Sequence, residues 1–228
     1  MKNVLCFGDS NTWGYDAETY DPKTGIAKRM PFDVRWPGLT RKLLGGDYRI
    51  IENALNARTL MREDPYFPHR LGIAGLEEAL DANAPLDLVV LSLGVNELKH
   101  MFNLTAGMIS FGMEKLVLAA KQSYYGYPAP GVLIISPAPV HPDIEKFIFG
   151  FSFGPLAYAK SCEFSKLYRE VAENHGCGYL DASSLGFTLN TIDGIHYNRE
   201  DHAKLGAKAA EKIREMLDEA PGFAALRA

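Results

Sequence analysis

Short apolar runs recur along the chain at Val4–Phe7, Tyr48–Ile51, Leu86–Leu93 and Val132–Ser136, with a weaker one at Gly178–Asp181. Runs of this length with little polar alternation suit strands covered on both faces, the usual condition of a parallel sheet. The stretches between them are amphipathic at helical spacing: Leu76, Ala79 and Leu80 share a face, as do Met113, Leu116, Val117 and Ala120. The last helix is the plainest. Leu205, Ala209, Ile213 and Leu217 recur every four residues behind Asn198 as N-cap, with Glu200 and Asp201 in the first turn. Strand and helix in alternation, joined by right-handed crossovers, predict an α/β fold: a three-layer αβα sandwich on a flavodoxin-like five-stranded parallel sheet, order 2-1-3-4-5.

With 228 residues, 47% of them hydrophobic, the chain can bury one substantial core, so residues 1–228 read as a single domain. Two excursions, at about 15–36 and 137–155, interrupt the alternation; loops so long often carry binding or interface work. The second holds Phe147, Phe149, Phe151 and Phe153, which would fold onto the core as a short strand, cover a site as a lid, or meet another subunit. A formal charge of −4 with no dense Lys/Arg block leaves no electrostatic footprint for nucleic acid or an anionic membrane. Cys6, Cys162 and Cys177 are far apart and odd in number, which supports neither a disulfide framework nor a metal site. Reduced thiols, the lack of a signal-like start and the lack of a spanning segment predict a cytoplasmic chain.

The chemistry-bearing residues gather at predicted strand ends. Ser10 follows the first strand in Phe7-Gly8-Asp9-Ser10-Asn11-Thr12, where an open α/β sheet places its reactive groups, although a serine there also serves as a helix cap or turn residue. An alcohol becomes a useful nucleophile when an imidazole takes its proton and a carboxylate orients that imidazole. Asp193-Gly194-Ile195-His196 supplies both in one short loop, and Gly194 permits the turn that aims them together. Asn96, after the Leu86–Leu93 strand, would face the same crevice as an oxyanion donor or else cap the next helix; the backbone N–H of Ala57 could join it. Trp13, Tyr15 and Ile195 flank the proposed group and could line a pocket for the acyl or alcohol part. Asp9 reads as an organiser of the Ser10 loop. His202 reads as solvent-facing, and His69, His100, His141 and His175 show no partner.

Four blocks, Gly8-Asp9-Ser10, Asn56-Ala57-Arg58-Thr59, Gly94-Val95-Asn96 and Asp193-Gly194-Ile195-His196, resemble in kind and order those of the SGNH (GDSL) hydrolase family. Together with Thr12-Trp13-Gly14, Asp33-Val34-Arg35-Trp36 and Pro85-Leu86-Asp87-Leu88-Val89, they are similar to its arylesterase/acyltransferase branch. The resemblance implies Ser10 as nucleophile, His196 as base and then acid, and Asp193 as its partner. It places Ser10 N–H, Ala57 N–H and the Asn96 side chain in the oxyanion hole. Ala57 stands where the family usually has glycine, as in the acyltransferase branch, and Glu97 stands where the family usually has aspartate. The implied protein is a serine esterase for short, acetyl-like acyl groups that also transfers acyl to alcohols, needs no cofactor or metal, and forms a homo-oligomer. Its partner is a small-molecule ester. The alternatives are a carbohydrate deacetylase with the same triad and a non-catalytic binding or assembly module on the same scaffold.

Overall fold

A computed structural model describes residues 1–219; residues 220–228, the end of the predicted domain, lie outside the described part. The strands are β1 (Lys2–Gly8), β2 (Tyr15–Asp21), β3 (Ile26–Arg29), β4 (Tyr48–Ala54), β5 (Leu88–Ser92), β6 (Gly131–Ser136) and β7 (Gly178–Asp181). The helices are α1 (Ser10–Trp13), α2 (Trp36–Leu44), α3 (Gly72–Asn83), α4 (Ala106–Ala120), α5 (Gly150–Phe153), α6 (Ala157–Cys162), α7 (Phe164–Asn174) and α8 (Arg199–Arg214). Five strands form one parallel sheet in the order β4-β1-β5-β6-β7. Counted among themselves, these five follow the expected 2-1-3-4-5. The chain numbering differs because β2 and β3 form a separate antiparallel hairpin within the 15–36 excursion, where the sequence pattern predicts a loop.

Successive side chains of each strand point to opposite faces. On β1, Leu5 and Phe7 enter one core with Leu76 and Leu80 of α3, Met113 and Val117 of α4, and Phe164 and Tyr168 of α7. Val4 and Cys6 enter the other, with Trp36 and Leu44 of α2 and Leu205, Ala209 and Ile213 of α8. Both faces are dry, which is why the strands read as unbroken apolar runs rather than as alternation. Helix α8 opens on a reciprocal capping box: the Asn198 side chain accepts from Asp201 N–H, and the Asp201 carboxylate accepts from Asn198 N–H.

The aromatic excursion is helical rather than a strand, because its phenylalanines divide among different environments. Phe153 is in the core, Phe147 packs on His141, Phe149 packs against Tyr15 and Tyr20, and Phe151 is 88% exposed. His202 also differs from expectation. It is 1% exposed, its Nδ1 accepts from Trp36 N–H at 3.2 Å, and its ring meets Tyr197 edge-on. Burial, followed by the nearby charges of His196, Arg35 and Arg199, pushes it down to about 3.

A histidine held neutral in the fold and free to protonate in the unfolded chain destabilises the fold as pH falls from its unfolded pKa toward its folded one. Between pH 6 and pH 4, urea unfolding should show the wild type losing about 1 kcal/mol per pH unit more than His202→Asn. Parallel stability curves for the two proteins would contradict this assignment.

Candidate active site

The register of the sheet brings the ends of three strands level. Gly8, the last residue of β1, pairs with Ala54 on one side and Ser92 on the other, so the segments that follow β1, β4 and β5 leave the same edge together. Gly8 is required there: a Cβ would lie 2.0 Å from Thr12 Oγ1 and 2.7 Å from the Ser92 carbonyl oxygen. The chain then turns at once into α1. Asp9 caps this turn, its Oδ1 accepting from Asn11 N–H at 2.9 Å, which is the organising role expected of it. Ser10 is the first helical residue, so its own N–H has no intrahelical partner.

The Asp193–His196 loop arrives from the far end of the chain. Gly194 has φ +66°, and a Cβ on it would come within 2.8 Å of His141 Cβ. The turn lets Asp193 Oδ1 accept from Ile195 N–H at 2.9 Å and His196 N–H at 3.0 Å, while Oδ2 lies 2.6 Å from His196 Nδ1. On the other side of the ring, His196 Nε2 lies 2.8 Å from Ser10 Oγ. Ser10, His196 and Asp193 thus form one buried hydrogen-bonded line, with 8%, 7% and 0% of their surfaces exposed. Burial pushes the Asp193 carboxyl up, but the His196 charge and the hydrogen bonds from His196 and Ile195 outweigh it, and its pKa falls below the ordinary aspartate value. An ionised acceptor here fixes the proton on Nδ1 and leaves Nε2 to receive one from serine.

Asn96 follows β5 in a short 3₁₀ turn, Val95–Leu98, and is 7% exposed. Its Nδ2 donates to the Arg58 carbonyl at 3.0 Å, which leaves the second amide hydrogen to another acceptor. Ala57 adopts φ +60°, the left-handed conformation that favours glycine, and its N–H has no hydrogen-bond partner among the described residues. The loop holds this shape through Arg58, whose role no local sequence pattern signals. The residue is 3% exposed, and its guanidinium donates to the Gly8 carbonyl at 3.1 Å, the Asn53 carbonyl at 2.7 Å and Asn53 Oδ1 at 2.9 Å, and lies 4.0 Å over the Phe7 ring. Glu97 keeps the neighbouring turn in place, because its buried Oε1 accepts from Leu60 N–H, while burial pushes its carboxyl up to about 8.

Tyr15 stacks on the His196 imidazole, centroids 4.1 Å apart at 25°, and Phe149 meets the same ring edge-on at 6.4 Å. Trp13 is half-buried under Arg29, whose guanidinium lies 5.1 Å from its ring. Ile195 corrects its sequence reading. It is 5% exposed in the core shared with α3, α4 and α7, so it supports the loop from below rather than lining an open pocket. Of the other histidines, His175 pairs with Glu114 at 2.7 Å, His141 packs on Phe147, and His69 and His100 are exposed; none contacts the Ser10–His196 pair.

Residues 6–204 match the model of the GDSL-like lipase/acylhydrolase family. The chain belongs to that family. It is therefore a carboxylic ester hydrolase with the SGNH fold. Among solved structures it is similar to Est24, a carbohydrate acetylesterase from Sinorhizobium meliloti, at 36% identity and a TM-score of 0.84, covering 95% of this chain and 100% of that one. It is also similar to the aryl esterase of M. smegmatis, at 35% identity and a TM-score of 0.84 with the same coverage. A carbohydrate acetylesterase family member from Sinorhizobium meliloti matches at 33% identity and a TM-score of 0.85, covering 95% of this chain and 99% of that one. Comparison with curated protein sequences gives no match.

Two positive-φ positions of this GDSL-family site, Gly194 and Ala57, should respond in opposite ways to substitution. Gly194→Ala forces a side chain against His141 at a positive φ and should lower stability by more than about 1 kcal/mol. Ala57→Gly relieves the backbone and should leave stability within about 1 kcal/mol of wild type. Denaturant melts of both variants read this directly; a tolerated Gly194→Ala would show that the turn has another way to form.

Proposed function

We propose that this esterase cleaves short, acetyl-like esters through an acyl-enzyme formed on Ser10, with His196 moving the proton and Asp193 orienting it. The observation that carries the reading is the Asp193–His196–Ser10 line at 2.6 and 2.8 Å. Ser10 Oγ attacks the ester carbonyl carbon while its proton passes to His196 Nε2. The imidazolium that forms faces the Asp193 carboxylate. Negative charge moving onto the carbonyl oxygen meets Ser10 N–H, Ala57 N–H and the free amide hydrogen of Asn96. The tetrahedral intermediate collapses as Nε2 returns the proton to the leaving alkoxide, and the alcohol departs. Water then repeats the sequence in reverse, giving up its proton to His196, attacking the acyl carbon and releasing the carboxylic acid and free Ser10.

An alcohol in place of water yields a new ester by the same steps. Tyr15 and Phe149 around His196 give the site aromatic walls that disfavour water, which supports acyl transfer. Trp13 and Tyr15 are the residues we assign to substrate binding. A second reading, a carbohydrate deacetylase, draws on the two solved relatives described as carbohydrate acetylesterases. The exposed side chains Ile148, Phe151 and Leu156, close in sequence to the Phe149 wall, support a homo-oligomer whose contacts border the site. Three free thiols support a cytoplasmic setting, and no helix among the described residues is long and apolar enough to cross a membrane.

Ser10→Ala should lower hydrolysis of phenyl acetate by at least about 1,000-fold, and Asn96→Ala should lower kcat by about 100- to 1,000-fold. Mass spectrometry after treatment with an organophosphonate should place the adduct on the Ser10 peptide. A series of aryl esters of growing acyl length, run beside acetylated sugars, separates the two substrate readings. Wild-type turnover in Ser10→Ala, or no adduct on Ser10, would overturn the assignment.

A further inference from the structure

The backbone around His196 is held from two directions. From its own loop, Asp193 Oδ1 accepts from Ile195 N–H and His196 N–H, and the His196 carbonyl accepts from Asn190 N–H at 2.8 Å. From α1, the Asn11 carboxamide reaches across: its Nδ2 donates to the Ile195 carbonyl at 3.4 Å, and its Oδ1 accepts from Tyr197 N–H at 2.9 Å. Asn11 is 3% exposed and adjoins Ser10 in the chain. Its amide stands in for a peptide group of a neighbouring strand, pairing with the residues on either side of His196 and leaving the ring to point between them at Ser10. Among the described residues, the recorded hydrogen bonds between α1 and residues 193–197 are these two and the Ser10–His196 bond itself.

That third bond cannot hold the register throughout a catalytic cycle. Once Ser10 Oγ carries an acyl group it has no proton to donate, and the loop must keep His196 in place for the incoming water by other means. We propose that Asn11 is a positioning residue that clamps the His196 loop to the nucleophile turn and so sets the serine-to-imidazole distance, above all in the acyl-enzyme. The inference rests on the roles assigned to Ser10 and His196 above. A carboxamide is suited to this task because it offers one donor and one acceptor side by side, matching one C=O and one N–H two residues apart. An aliphatic side chain of the same size would fill the space and leave two buried backbone groups unpaired.

The test compares Asn11→Leu, which removes both bonds at similar volume, with Asn11→Asp, which keeps the acceptor for Tyr197 N–H and loses the donor to Ile195. Ser10→Ala is run beside them. Turnover of phenyl acetate by wild type and the Asn11 variants is normalised to the protein that labels with organophosphonate, so that misfolded molecules do not count; that of Ser10→Ala, which has no serine to label, is normalised to total protein. Asn11→Leu should lose about 10- to 100-fold in kcat with KM falling alongside it, so that kcat/KM changes less than about threefold, and Asn11→Asp should lose less. In pre-steady-state traces the burst of phenol should persist while the steady phase slows, the sign of impaired water attack on the acyl-enzyme. Wild-type kcat per labelled site in Asn11→Leu would overturn the clamp; should that variant not fold, wild-type kcat in Asn11→Asp would do the same. Lost activity in Ser10→Ala with none lost in the Asn11 variants would sink the clamp alone. Retained activity in Ser10→Ala would sink the triad assignment and the clamp with it.

Discussion

The pairing of Gly8 with both Ala54 and Ser92 is the constraint from which the site follows. Parallel strands in register end on one edge, and the first residues beyond that edge fall within a few ångströms of each other whatever their separation in sequence. Gly8 makes the close arrangement possible because there is no room for a side chain between Thr12 and the Ser92 carbonyl. From there each contributor needs only a short, stiff connection: α1 for Ser10, the Arg58-stapled loop for Ala57, and a 3₁₀ turn for Asn96. The fourth segment, Asp193 to His196, comes from outside the sheet. Its placement depends on a glycine turn and on hydrogen bonds that α1 and the loop itself supply.

Electrostatics gives these neighbours different tasks. Asp193 and Asp9 are both buried carboxyls near His196, but Asp193 gathers two backbone N–H groups and the imidazole, whereas Asp9 has one oxygen without a partner among the described residues. Burial therefore prevails at Asp9 and pushes it up to about 6, while at Asp193 the hydrogen bonds and the His196 charge prevail. The carboxylate that faces the imidazole is the one whose environment favours charge.

Much of this was legible in the sequence because it depends on local pattern. Unbroken apolar runs marked β1, β5 and β6, four-residue spacing marked α8, and the Asp-Gly-Ile-His loop and the Gly-Asp-Ser turn marked the polar ends. What escaped depended on tertiary contact. The β2–β3 hairpin lacks a strong apolar alternation. His202 looked solvated among charged neighbours on its helix, yet it faces Trp36 across the α2–α8 interface. Ile195 looked like a pocket residue because it adjoins His196, but the tight turn sends its side chain into the core. The roles of Asn11 and Arg58 rest on partners far away in the chain, 184 residues in the case of Asn11 and Ile195 and 50 in that of Arg58 and Gly8. The only signal within reach was that each adjoins a residue already suspected.

Ser10, His196 and Asp193 are read here as one unit rather than as three separate aids. A mutant cycle on kcat/KM decides between the two, with single, double and triple alanine variants assayed on the same aryl acetate. Members of a unit are strongly non-additive. A single unit requires that Ser10→Ala/His196→Ala and the triple variant are no slower than Ser10→Ala alone. Losses that multiply from variant to variant would mean three independent contributions instead.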